Sequence, residues 1–147
     1  MKLIQIDKLR KNSRLTHSVY SNDYHLVFAT RGKIPWLNAR LVMRIRNLFR
    51  EKGEELNLLI YLANGHKNHM HVLLSVPPTM GISYVAKHLK GYSSRRLGKK
   101  KYWGEGYYVR SVGDQDFIPT FHSISNQWSR HKLQTMEEEF KEFRIAA

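Results

Sequence analysis

The stretch Asn68-His69-Met70-His71-Val72-Leu73-Leu74-Ser75-Val76 decides how the chain is read. Met70, Val72, Leu74 and Val76 alternate onto one face of an extended strand, and His69, His71, Leu73 and Ser75 take the other. Residues two apart on a strand project the same way, roughly 6–7 Å apart along the chain, so both imidazoles can converge on one ion. Neutral imidazole is the commonest protein metal ligand, and a pair on a rigid strand is already aimed. A third oxygen or nitrogen ligand must come from elsewhere. Two surface histidines that fall two apart by chance are the alternative reading.

Outward from this strand, residues 56–64 form a strongly apolar run, and Gly65-His66-Lys67-Asn68 between the two reads as the turn of an antiparallel hairpin. Upstream, Tyr24-His25-Leu26-Val27-Phe28-Ala29-Thr30 is a first strand, rich in β-branched and aromatic residues. Arg31-Gly32-Lys33-Ile34-Pro35 breaks it, and Asn38 caps a helix marked by Leu41, Val42, Ile45, Leu48 and Phe49, which Lys52-Gly53 ends. Downstream, Ile82, Val85, Ala86 and Leu89 mark a second helix, and Tyr107 to Val112 a fourth strand. Pro119 stands as a first helical residue ahead of an apolar stripe of Phe121, Ile124 and Trp128. Thr135 and Glu138 have capping-box spacing for a short last helix over 135–144. The order β-α-β-β-α-β-α, with a hairpin in the middle, predicts a split β-α-β sheet in a single α+β domain. Residues 1–22 read as a partly ordered arm before it.

The 147 residues are enough for one core without covalent staples. The absence of cysteine excludes disulfides, thiolate zinc sites and cysteine nucleophiles, and fits a reducing cytoplasm. No apolar run reaches membrane-spanning length and the first residues lack a signal-peptide core, so a cytoplasmic protein without membrane partners is expected. Twenty-five Lys and Arg against twelve Asp and Glu give a net charge of +13, which favours a polyanion partner, nucleic acid first. The densest basic run is Lys87, Lys90, Arg95, Arg96, Lys99, Lys100 and Lys101, interleaved with Tyr92, Tyr102 and Trp103. Its cations suit phosphates and its rings suit unpaired bases; a core role for Trp103 and Tyr107 is the alternative. His25, His66, His88 and His131 are read as ordinary polar or packing residues.

On the helix after Pro119, Ser123 and Gln127 are four apart and share a face off the apolar stripe. A glutamine carbonyl suits Mg²⁺ or Mn²⁺ better than zinc, so two histidines, Gln127 and open water positions would form a hard-cation site for polarising a phosphate. A solvated Gln127 is the alternative.

Five blocks, in order and in register, resemble the single-tyrosine HUH transposases of bacterial and archaeal insertion sequences and the related REP-associated tyrosine transposases. They are Tyr24 to Thr30, His69-Met70-His71 with Val72-Leu73-Leu74, Lys90-Gly91-Tyr92-Ser93-Ser94-Arg95-Arg96-Leu97, Trp103-Gly104-Glu105-Gly106 through Val112-Gly113, and Ile124-Ser125-Asn126-Gln127. The resemblance covers roughly residues 20–132 and implies a ferredoxin-like antiparallel sheet over 23–134, flanked by the arm (1–22) and a C-terminal helix (135–147). It implies a homodimer, Mg²⁺ or Mn²⁺ held by His69, His71 and Gln127, and single-stranded hairpin DNA as substrate. DNA contacts are expected from the basic run, Tyr92, Trp103 and Arg110.

The chemistry it implies is transesterification, in which a tyrosine hydroxyl attacks the DNA backbone, forms a 5′-phosphotyrosine link and releases a 3′-hydroxyl. The family tyrosine stands four residues before the glutamine, and here that position is Ser123. A serine hydroxyl lies several Å closer to the backbone than a phenol, and its pKa is far above the phenol value of about 10. Asn68 also departs, where the family commonly carries an acid. The expected protein therefore keeps the metal ligands and lacks the nucleophile. A non-catalytic single-strand or hairpin DNA-binding protein is the second reading. An RNA-binding ferredoxin-like module is the third, and it leaves His69, His71 and Gln127 unexplained.

Overall fold

A strand with an apolar stripe on one face and histidines with Leu73 on the other must be covered on both sides, and the helices divide accordingly. The computed structural model describes residues 13–14, 18–98 and 102–127. Two short strands, β1 (Ser13–Arg14) and β2 (Val19–Tyr20), pair antiparallel within the expected arm. The main elements follow as β3 (Asp23–Ala29), α1 (Ala39–Glu55), β4 (Leu59–His66), β5 (His69–Ser75), α2 (Ile82–Arg96), β6 (Tyr108–Val112) and α3 (Asp114–Ser125). The four long strands form one sheet in the order β4-β5-β3-β6, with every neighbouring pair antiparallel. This is the ferredoxin-like sheet that the element order predicts.

Met70, Val72 and Leu74 of β5 join Leu26 and Phe28 of β3 against Val42, Ile45 and Phe49 of α1 and Val85, Ala86 and Leu89 of α2. Leu73, Tyr61 and Val112 pack on the opposite face under Phe117, Phe121 and Ile124 of α3. Period two along the strand thus becomes two separate apolar layers. Burying side chains of this size stabilises by roughly 1.5–3 kcal/mol each, so the two layers together hold the histidine strand rigidly in mid-sheet.

Three boundaries differ from the sequence reading by more than one residue. Helix α1 passes through Lys52-Gly53 to Glu55, because Gly53 is a packing glycine: a Cβ there would lie 3.3 Å from Ile60 Cδ1. Asn38 does cap this helix, accepting from the Leu41 N–H. The hairpin is shifted: β4 starts at Leu59 and runs on to His66, leaving Lys67-Asn68 as the turn. Lys67 takes a left-handed conformation (φ 53°), which the loop after β3 sustains: Leu37 N–H donates to Lys67 O and Thr30 N–H to Asn68 O. Finally, α3 begins at Asp114, so Pro119 lies inside it rather than at its start. Asp114 and Asp116 favour the earlier start through the helix dipole. Pro119 is exposed, so the carbonyl left without its N–H donor meets solvent rather than core.

Trp128, His131, Lys99, Lys100, Lys101 and the helix expected over 135–144 lie outside the described residues. Among those described, no helix is long and apolar enough to cross a membrane.

Candidate functional site

The face of the sheet that carries α3 also carries the histidines. Antiparallel register places His69 opposite Ala29 on one side and His66 on the other, and His71 opposite Val27 and Asn64. Farther along, His25 faces Leu73 and Arg110. All these positions share one side of the pleat.

His69 and His71 are each 1% exposed, and their ring centroids lie 5.0 Å apart with the planes inclined at 72°. Each ring is held through its Nδ1 atom. His69 Nδ1 lies 3.1 Å from Asn68 Oδ1, and His71 Nδ1 lies 2.9 Å from His25 Nε2. The Asn68 amide is oriented by its own Nδ2, which donates to Lys33 O at 3.2 Å, so its oxygen faces His69. Asn68 Oδ1 only accepts, so His69 donates its Nδ1–H there and keeps the lone pair a metal takes on Nε2.

Gln127 is fully buried, which removes the solvated alternative. Its Nε2 donates to Ser123 O at 3.2 Å, and its Oε1 is buried and meets no hydrogen-bond donor among the described residues. A buried carbonyl without a donor fits a cation ligand. Among the described residues no three of His, Cys, Asp and Glu cluster as a metal site. Ser123, one helical turn earlier, is half-buried.

Asn64 joins this helix to the histidine strand. It pairs with His71 across the hairpin, and its Nδ2 donates to Ile124 O at 3.0 Å and to Ser125 O at 3.3 Å. Those are carbonyls of the last turn of α3. Its Oδ1 accepts from Gly65 N–H at 3.0 Å. Asn64→Leu is expected to cost about 2 kcal/mol, the order of a buried hydrogen-bonding group left unmatched, measured by urea unfolding.

The nominated DNA contacts separate by layer. Lys87, Arg95 and Arg96 are exposed on α2, on the side of the sheet away from the histidines. Lys87 and Arg95 line a depression of about 350 Å³ with His88, Gly91, Tyr92 and Ser94. Tyr92 donates its hydroxyl to Glu51 Oε2 at 2.6 Å, and the Arg96 guanidinium lies 5.2 Å from its ring centre. That hydrogen bond pushes the phenol's pKa above its ordinary value.

Arg110 belongs to the histidine face beside His25, and its guanidinium donates to Thr120 of α3 at 2.9 Å. Lys90 is half-buried, with Nζ donating to Gly104 O at 2.7 Å and Gly106 O at 2.9 Å, and burial lowers its pKa. It clamps the loop entering β6. Trp103 is a core residue, its ring against Phe28 and its Nε1 donating to Ser93 Oγ at 2.9 Å, so burial withholds it from stacking on a base. Tyr102 is also buried, and desolvation pushes its phenol up to about 12.

Two residues were missed as parts of the site: His25, read as ordinary packing, and Asn64, not singled out. Their only signal in the sequence is a polar residue inside an apolar strand, and their partners are 46 and 60 residues away.

The four-stranded antiparallel sheet with its packed helices is a fold shared with solved transposases. The family model described as "Transposase IS200 like" matches residues 18–127, and the chain belongs to that family. It is 30% identical over 120 residues to the transposase for insertion sequence element IS200 of Salmonella typhimurium, covering 71% of this chain and 79% of that protein. It is 28% identical over 92 residues to the ISDra2 transposase TnpA of Deinococcus radiodurans, covering 58% of this chain and 66% of that one. A REP-associated tyrosine transposase, solved bound to a REP hairpin, has the same fold: TM-score 0.64 at 14% identity, over 82% of this chain and 74% of that chain.

Proposed function

We propose that this transposase-family chain binds single-stranded hairpin DNA as a homodimer and carries the cation-binding half of a strand-transfer site, with a serine where the nucleophile belongs. The observation that carries this reading is the buried His69–His71 pair, each ring engaged through Nδ1 and both on the face covered by α3. His69, His71 and Gln127 would hold Mg²⁺ or Mn²⁺, which when bound neutralises charge developing on a phosphate oxygen. The protein's own contribution is placement. Asn68 and His25 orient the imidazoles, Asn64 seats the end of α3, and Arg110 on the same face offers a cation to the DNA backbone. Exposed Lys87, Arg95 and Arg96 on the far side of the sheet suit the phosphates of a hairpin stem. A structural neighbour solved on a hairpin supports that choice of partner.

Ser123 favours a second reading, a DNA-binding protein that has lost cleavage. One experiment separates the two. The unaltered protein and Ser123→Tyr are mixed with single-stranded hairpin DNA from the flanks of the gene, with Mn²⁺ or EDTA, and covalent adducts are sought on a denaturing gel. The expected result is an adduct with Ser123→Tyr alone, and only with Mn²⁺. There the phenol oxygen bonds to phosphorus, the bond from phosphorus to the 3′ oxygen breaks, and the departing oxygen takes up a proton as a 3′-hydroxyl. An adduct with the unaltered protein overturns the assignment of Ser123. Hairpin binding without any adduct selects the second reading, and the absence of hairpin binding overturns both.

A further inference from the structure

We propose that His25 is a positioning residue for His71, holding that ring in the one tautomer able to take a divalent cation; this rests on the metal reading above. The two residues are 46 apart in sequence and meet only through the register of β3 on β5, where Val27 faces His71 and His25 faces Leu73. They are therefore diagonal neighbours on one face. Their rings lie 5.1 Å apart and within 24° of parallel, with His25 Nε2 2.9 Å from His71 Nδ1. Both are buried, at 5% and 1% exposure.

A hydrogen bond between two neutral imidazoles contains one proton, and its owner decides what the remaining nitrogens do. If His71 Nδ1–H donates to His25 Nε2, His71 Nε2 carries a lone pair and is a ligand. If His25 donates instead, His71 must carry its proton on Nε2 and cannot bind a metal. His69 has no such ambiguity, because Asn68 Oδ1 only accepts and so holds a proton on Nδ1. The His71 position uses a second imidazole for the same purpose. The Tyr108 ring stands edge-to-face with His25, centroids 6.1 Å apart at 78°, so the positioning ring is itself packed in place. A histidine buried on an inner strand beside Leu26 and Val27 is costly unless its nitrogens are used, and this contact gives it a use.

The test uses the metal-free protein without DNA, as unaltered chain, His25→Phe (ring kept, acceptor lost) and His25→Gln (acceptor kept). Mn²⁺ affinity is measured by calorimetry, and the tautomer of His71 in the unaltered protein by long-range ¹⁵N–¹H correlation. The expected results are an Nδ1–H His71, a roughly 10–100-fold weaker Mn²⁺ affinity for His25→Phe, and recovery of most of it in His25→Gln. Full Mn²⁺ affinity in His25→Phe overturns the proposal. So does equal loss in both variants, which would mark His25 as packing alone, and so does an Nε2–H His71 in the unaltered protein. Should His25→Phe fail to fold, the tautomer and His25→Gln still decide. Absence of Mn²⁺ binding to the unaltered protein overturns the metal reading itself, while the tautomer of His71 still tests the hydrogen bond on its own.

Discussion

His69→Ala with His71→Ala, placed in the Ser123→Tyr protein, is expected to abolish the metal-dependent DNA adduct, a loss of about 10³-fold or more, while hairpin affinity stays nearly unchanged. The two effects separate because the sheet lies between their causes. The imidazoles sit under α3, whereas Lys87, Arg95 and Arg96 sit on α2 across the opposite layer. Sites that share no partners perturb one another little. The adduct is scored by denaturing gel with Mn²⁺, and affinity by a hairpin titration at two salt concentrations, since phosphate contacts give a steep salt dependence. Hairpin binding doubles as the control for folding. Undiminished adduct formation would remove the histidines from the chemistry, and a parallel collapse of affinity would show that DNA is bound across the histidine face instead.

Gly65→Ala is the second large effect. Gly65 faces Met70 across the hairpin, two residues from the Lys67-Asn68 turn. A Cβ there would lie 2.6 Å from His69 O and would also strike Met70 Sδ. Sulfur on a flexible side chain can move aside; a backbone carbonyl in the middle of a sheet cannot do so without shifting His69. The expected cost is about 3 kcal/mol in unfolding free energy by urea denaturation, at the upper end of core overpacking. A weaker Mn²⁺ affinity in the folded variant is expected with it. A variant as stable as the parent would show that the hairpin yields easily and that the close approach does not hold His69 in place.

The sequence by itself determined the two-faced histidine strand, because a period of two is written in consecutive residues and needs no partner to be read. It likewise determined the Asn38 cap and the apolar spacing of α1 and α2, all set within a turn or two of chain. The order of the elements, with five stretches in family register, was enough for a ferredoxin-like antiparallel sheet.

Tertiary structure alone decided the rest, wherever the deciding contact was distant. Gly53 reads locally as a helix stop, yet it continues the helix because Ile60 packs on it. The hairpin turn falls at Lys67-Asn68 because Thr30 and Leu37 bond to that turn from outside. Lys90 and Trp103 resemble DNA contacts in composition, but one clamps a loop and the other fills the core. Asn64 bonds the end of α3 across 60 residues of chain, and His25 touches His71 only through strand register. Periodicity tells which side of its own element a residue occupies; what stands opposite depends on how strands align, and that alignment is a property of the whole packed sheet.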